Sequence, residues 1–325
     1  MPKPRKQLIS LGVTSYYHCT SRCVRRAFLC GFDSLTGQSY EHRRQWVEDR
    51  ILFLASVYCI DVCAYAVMSN HHHLVLHINK AESLALSDVD VCVRWHKLFK
   101  GTLLTQKFAK GEPLTEAEME AVRSRLDQWR LQLCDISWFM RSLNEPIARM
   151  ANAEDKCSGR FWDSRFKSQA LLDEKALLAC MAYVDLNPIR AQLADTPEDS
   201  VHTSIKRRIK CVKTGQAQPE TLAKFIGNPR EPMPQCLPFN LKDYIELVDI
   251  TGRVIREDKG GFISKLELPI LERLGIEESA WLVLTMKFES RFKSLVGATT
   301  ALHKAAEVLG FVRRPGSSNC QVLLQ

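Results

Sequence analysis

The chain has 325 residues, 46% hydrophobic and 25% charged, which suits one large domain or a domain with an extension and excludes a collagen, a structural fibre or a wholly disordered chain. A formal net charge of +8 favours a polyanionic partner, although net charge bears on association and not on fold. The N-terminal MPKPRKQLIS lacks the apolar core of a signal peptide, and no run reaches the ~18–20 apolar residues that span a bilayer, so the expectation is a cytoplasmic protein that makes no use of a membrane.

In chain order, Tyr16–Arg22 (YYHCTSR) alternates aromatic or β-branched with polar residues, which predicts a strand, and the basic cluster Arg22, Arg25, Arg26 follows it. Between 41 and 58 the apolar residues Trp46, Ile51, Leu54 and Ala55 recur at helical spacing. Residues 60–68 (IDVCAYAVM) form an apolar, β-favouring run, and a turn at Ser69 and Asn70 leads into a second strand, His71–Ile78 (HHHLVLHI). This gives strand–helix–strand–strand, the last two as a hairpin. Residues 80–155 are predicted as mainly helical. Thr115 with Glu118 three positions on makes a capping box for one helix, and SWFMRSLNEPIARMANA forms another. Residues 158–172 hold a loop and a strand. Asp173 then caps a helix over EKALLACMAYVDL that stops or kinks at Asn187-Pro188.

After about residue 196 the texture changes. Lys206, Arg207, Arg208, Lys210, Lys213, Lys224 and Arg230 outnumber Glu220 and Glu231, and Pro229, Pro232, Pro234 and Pro238 follow. The prediction is a catalytic or binding domain over 1–195, a basic, proline-rich linker over 196–240, and a mainly helical C-terminal module over 241–325 with no assigned role. The twelve cysteines include no C-x-x-C pair, and most lie in apolar surroundings, so they read as reduced, buried thiols.

Three constellations carry chemistry. In Asn70-His71-His72-His73, strand alternation puts His71 and His73 on one face and His72 on the other. Two imidazoles so spaced can share one divalent ion; alone, the pattern equally fits histidines with no metal. In AYVDLNPIRA, Tyr183 and Asn187 stand four apart on a helix and project together. A tyrosine is a nucleophile only when neighbours help it lose a proton held with an ordinary pKa near 10, and Asn187 offers a neutral oxygen for a metal; alone, the pair reads as a core tyrosine and a helix stop. In GRFWDSRFKSQ, Arg160, Arg165 and Lys167 interleave with Phe161, Trp162 and Phe166, a mixture suited to single-stranded nucleic acid, and equally to a strand with aromatics inward.

Taken in order, YYHCTSRCVRRAF, AYAVMSNHHHLVLHI, GRFWDSRFKSQ and YVDLNPIRA resemble the REP-associated tyrosine transposases, a branch of the single-tyrosine HUH transposases of insertion sequences, over about residues 8–195. The resemblance implies an α+β fold, a ferredoxin-like antiparallel sheet with helices on one face. It implies His71 and His73 as metal ligands, with His72 in the place of the usual bulky hydrophobe. Tyr183 is then the nucleophile and Asn187 a further ligand, with Mg²⁺ or Mn²⁺ as cofactor. The implied activity is cleavage and rejoining of single-stranded hairpin DNA through a 5′-phosphotyrosine, in DNA transposition. Arg22, Arg25 and Arg26 are candidates for the hairpin, and Arg160, Arg165, Lys167 and Arg190 for backbone phosphates. Two rival expectations stand beside this one: a catalytically silent hairpin-DNA-binding protein of the same fold, and a metal-dependent hydrolase that uses water. Monomer and homodimer remain equally open.

Overall fold

The computed structural model describes residues 8–24, 29–34, 37–227, 236–256, 269–311 and 316–324. Strand β1 (Tyr16–Arg22) is followed by a small ribbon of β2 (Phe32–Asp33) and β3 (Gln38–Ser39), helix α1 (His42–Ala55), and the hairpin β4 (Ile60–Val67) and β5 (His71–Ile78). A helical insertion comes next: α2 (Lys80–Ala85), α3 (Asp88–His96), α4 (Leu103–Ala109), α5 (Glu116–Gln132) and α6 (Ile136–Glu154). Then come β6 (Lys167–Leu171), α7 (Glu174–Asp185), α8 (Asn187–Arg190), α9 (Ser204–Lys213), α10 (Leu241–Arg256), α11 (Pro269–Leu274), α12 (Glu278–Arg291), β7 (Leu295–Val296), α13 (Thr299–Val308) and α14 (Ser317–Leu323).

Local chemistry explains several boundaries. Thr115 and Glu118 form the expected capping box of α5, and the Asp173 carboxylate accepts from Ala176 N at 2.9 Å to start α7. Pro146 inside α6 cannot donate to the Ser142 carbonyl one turn back, and Arg50 Nε donates to that carbonyl instead at 3.0 Å.

The fold is mixed α+β around a five-stranded sheet of order β4-β5-β1-β6-β7, antiparallel except for the parallel β6–β7 pair. β1 lies in the middle, with Thr20 opposite His73 on one side and His18 opposite Gln169 on the other. Helices cover both faces: α6 meets the side of the sheet that carries His72, whereas α7, with α12 packed on it, covers the side that carries His73.

Residues 196–240, expected as a linker, contain α9 and cover the sheet's edge. Thr203 bridges Ala66, and Val67 N donates to His202 O at 3.1 Å, so part of β4's outer edge is paired and not open. Pro229, Pro232, Pro234 and Arg230 lie outside the described residues. Arg208 is fully buried here. β4 has a bulge at Cys63, which takes no register partner, and Arg208 donates to the Cys63 carbonyl at 2.7 Å and to the Ala223 carbonyl at 3.1 Å. A basic residue read as linker charge is thus a structural donor. Arg208→Ala leaves two buried carbonyls without a donor and is expected to cost about 3 kcal/mol. Equilibrium urea unfolding checks this; a loss under about 1 kcal/mol would mean water replaces the guanidinium without penalty.

The C-terminal stretch, expected as a module of its own, joins the same core. Tyr244 on α10 donates to the buried Asp185 carboxylate at 2.6 Å, and Ser204 Oγ on α9 donates to it at 2.6 Å. Burial pushes the Asp185 carboxyl up to about 6. β7 comes from this stretch too. It approaches β6 so closely at Gly297 that a Cβ there would lie 2.7 Å from Leu172 Cβ, so glycine is required.

Candidate active site

The site grows from one face of the sheet's centre. Alternation on β5 sends His73 toward α7 and His72 the other way. His72 Nε2–H donates to Asn144 Oδ1 on α6 at 3.0 Å, and its ring packs edge-on to Trp162 at 5.4 Å. His71 and His73 lie together, ring centroids 4.8 Å apart and nearly perpendicular. The two histidines that strand alternation predicts on one face are thus brought together, and the reason is the unbroken register of β5 against β1. His77, which shares the parity of His71 and His73, is engaged elsewhere: it stacks on Tyr16 and meets Asp61 at 2.8 Å.

The ring nitrogens of the pair are unequally used. His71 Nδ1 lies 2.5 Å from Asn70 Oδ1. His73 Nδ1 lies 2.9 Å from His18 Nε2 and 3.2 Å from Thr20 Oγ1. His73 Nε2 is buried and has no protein partner, an arrangement that costs stability unless something fills it. Burial favours the neutral form of His18, His71, His72 and His73. It pushes His71 down to about 3 and His72 to about 4, and it lowers His18 and His73 as well. A neutral imidazole is the form that binds a metal.

Tyr183 on α7 closes the site. Its ring stands edge-on to His73 at 5.7 Å and to His18 at 6.2 Å, and is 7% exposed. The Arg190 guanidinium lies 3.7 Å over the tyrosine ring, and Phe288 of α12 packs beside it at 5.7 Å. Burial raises the Tyr183 phenol above its ordinary value, and the Arg190 charge opposes that rise. Asn187, at the start of α8, is buried with its Nδ2 unpaired, so no hydrogen bond at that atom fixes which end of the amide faces inward.

The residues present suit a divalent ion sparingly. Among the described residues no group of three His, Cys, Asp or Glu side chains is placed to hold a metal. A bound ion therefore depends on two imidazoles plus groups of another kind, such as a carboxamide, water or a substrate phosphate. The unpartnered His73 Nε2 is the observation in favour of a fit.

The basic residues divide. Arg22 is exposed at the end of β1, directly opposite His71. Arg160 and Arg165 are exposed on the loop that runs beside it, where Asp163 N donates to Arg22 O. Arg165 and Lys167 border a cleft of about 650 Å³ whose lining includes His18, Thr20 and Gln169. Lys167 also lies 3.8 Å from Glu289 on α12. Arg190 turns inward and donates to the carbonyls of Met286 and Tyr183, besides stacking on the ring. Arg25 and Arg26 lie outside the described residues.

Four contributors to the site were not picked out from the sequence. His18 and Thr20 share a β1 face with Tyr16, and a histidine in the middle of a strand so apolar was the available signal. Gln169 sits in a stretch singled out for its charges. Phe288 had no signal, because nothing local ties α12 to the histidines.

Comparison with known proteins adds little. No family model matches the chain, and no curated protein matches it. Among solved structures, a REP-associated tyrosine transposase bound to a REP hairpin is similar at 13% identity, covering 72% of this chain and 98% of that one, with a TM-score of 0.38. A likeness this weak carries no argument about activity. Among the described residues, no helix is long and apolar enough to cross a membrane.

Proposed function

We propose that this protein cleaves and rejoins single-stranded hairpin DNA by a transposase-like mechanism, with Tyr183 as nucleophile and a divalent ion at His71, His73 and Asn187. The observation that carries the reading is the contact of Tyr183 with His73, whose Nε2 is buried and unpaired. The strand order β4-β5-β1-β6 with alternating directions supports reading this part as a ferredoxin-like core. The motif resemblance to REP-associated tyrosine transposases points the same way.

When bound, the ion polarises the scissile phosphate and stabilises the charge that develops on it. Mn²⁺ suits imidazole and carboxamide donors better than Mg²⁺, which more often takes an all-oxygen shell. The Tyr183 hydroxyl gives its proton to solvent water, and its oxygen attacks phosphorus. A bond from phosphorus to the tyrosine oxygen forms and the bond to the 3′ oxygen breaks. That oxygen takes up a proton as a free 3′-OH, and the 5′ phosphate stays on the protein. Attack by a 3′-OH on this phosphotyrosine reverses the step and releases Tyr183. The ester energy is conserved throughout, so no nucleotide is consumed. Arg190 favours the phenolate by its charge, and Arg22, Arg160, Arg165 and Lys167 hold phosphates in a salt-dependent way.

The test is to incubate the protein with an end-labelled hairpin oligonucleotide and Mg²⁺ or Mn²⁺, then separate the products on a denaturing protein gel. A covalent protein–DNA band supports the proposal. Cleavage without the band assigns the chemistry to water. Binding alone selects the silent hairpin-binding protein, a reading favoured by one observation, the low exposure of Tyr183. On the same substrate, His71→Ala and His73→Ala are expected to lower cleavage by about a hundredfold or more while hairpin affinity changes by less than about threefold. His72→Ala is expected to act through stability, because its ring serves Asn144 and Trp162 on the other face. Loss of cleavage in a stably folded His72→Ala protein would contradict the division of faces.

A further inference from the structure

Behind His73 runs a chain of hydrogen bonds that ends on the C-terminal part of the protein. Gln169 Nε2 donates to the Phe292 carbonyl at 2.6 Å. A carbonyl can only accept, so this bond fixes the orientation of the amide and turns Gln169 Oε1 toward His18. Oε1 lies 2.6 Å from His18 Nδ1, and an amide oxygen can only accept, so His18 carries its proton on Nδ1. A neutral imidazole with Nδ1–H has its lone pair on Nε2. His18 Nε2 lies 2.9 Å from His73 Nδ1, so the proton in that bond belongs to His73. His73 then has its own lone pair on Nε2, the atom that is buried with no partner in the protein.

We infer that Gln169 and His18 are positioning residues that lock His73 as the Nδ1–H tautomer and so present its Nε2 lone pair to the site. Each link is dictated by the one before it, from an acceptor that has no choice of role. Neither residue is a proposed ligand; both act through His73. Thr20 fits the same polarity, since its hydroxyl oxygen lies 3.2 Å from His73 Nδ1 and 3.4 Å from His18 Nε2, and can accept from the first or donate to the second. In the turn before β5 a shorter version serves the other proposed ligand: Asn70 Oδ1 beside His71 Nδ1 leaves His71 Nε2 available. Outer partners of this kind orient a ligating imidazole, and removing them typically weakens metal affinity by about 10–100-fold.

The inference rests on the proposed metal site for its purpose, but its tautomers are testable without metal. Long-range proton–nitrogen correlation spectra of the metal-free, ¹⁵N-histidine-labelled chain are expected to show protonated Nδ1 and bare Nε2 on both His18 and His73. Nε2–H on His73, or rapid exchange between tautomers, overturns the inference. Gln169→Leu is expected to release His73 toward the Nε2–H form and to weaken Mn²⁺ binding, titrated by electron paramagnetic resonance, by about 10–100-fold. A folded Gln169→Leu protein with unchanged tautomers overturns the inference. If the wild-type chain shows the assigned tautomers and binds no Mn²⁺, the lock stands and the metal reading of the proposed function fails.

Discussion

Tyr183→Phe is expected to abolish the covalent protein–DNA band and to lower strand cleavage by at least about a thousandfold, with hairpin affinity nearly unchanged. The substitution removes one oxygen and keeps the ring. The edge-on contacts with His73 and His18, the packing on Phe288 and the stacked Arg190 guanidinium all remain. Thermal unfolding should therefore stay within a few degrees of wild type, which separates lost chemistry from lost fold. Arg190→Gln is a graded companion. The phenol is raised by burial and held back by the Arg190 charge, so removing that charge makes the proton harder to lose and slows cleavage at neutral pH. Persistence of the covalent band in Tyr183→Phe would mean another residue is the nucleophile. Equal cleavage with no band in either protein would mean that water is.

Acid should unfold the metal-free protein over a narrow range. His18, His72 and His73 are at most 1% exposed and neutral in the fold, and burial holds each below the ordinary imidazole value of 6.5, His72 at about 4. The unfolded chain takes up protons below pH 6.5 that the folded chain refuses, so the stability these residues allow is present above that pH and lost as pH falls. Each such proton is worth at most about 1.4 kcal/mol per pH unit, which makes at most about 4 kcal/mol per unit for three, and the half-buried His71, held at about 3, adds to the same loss. Asp185 acts in the opposite sense. Its folded carboxyl, pushed up to about 6 against an ordinary 3.8, takes up a proton before the unfolded one, which offsets about one of the three. The net loss, about 3 kcal/mol per unit, exhausts a typical stability of about 5–15 kcal/mol within a few units. Unfolding is therefore expected between about pH 6 and pH 4. Melting temperatures across this range, converted to proton uptake, check the prediction, and His72→Asn should lower the uptake by about one. A melting temperature that holds flat from pH 6.5 to 5 would sink it.

Much of the sheet's centre was legible in the sequence because it is set by local rules. Tyr16–Arg22 and His71–Ile78 announce themselves by alternation and β-branched content, and Thr115 and Asp173 by capping chemistry. That His71 and His73 share a face and His72 takes the other needed only strand parity. What escaped depends on contacts between distant segments. Arg208 reads as one more positive charge in a basic run, and no local signal announces the carbonyls it serves, those of Cys63 at the bulge and of Ala223. β7 is two residues long and has no pattern of its own. Phe288 reaches His18, and the Phe292 carbonyl reaches Gln169, because α12 packs on α7 and β7 pairs with β6. Tyr183 and Asn187 were singled out as candidates by their spacing, but the low exposure of Tyr183 owes to α12, whose Phe288 packs beside it and whose position no local signal encodes.

The parallel pairing of Ala170 with Leu295 has a consequence for the order of events during synthesis. The ribosome delivers His71 and His73 early and Tyr183 later, while the Phe292 carbonyl that orients Gln169 comes later still. A growing chain that ends near residue 195 holds every proposed ligand and the nucleophile, but not the acceptor that sets the direction of the proton chain. The pair of strands that closes the sheet is also separated by a long stretch of chain, so it is slow to form relative to the β4–β5 hairpin. The histidines are thus assembled first and oriented last, and a nascent or truncated chain is expected to carry an unset site until its C-terminal strand has docked.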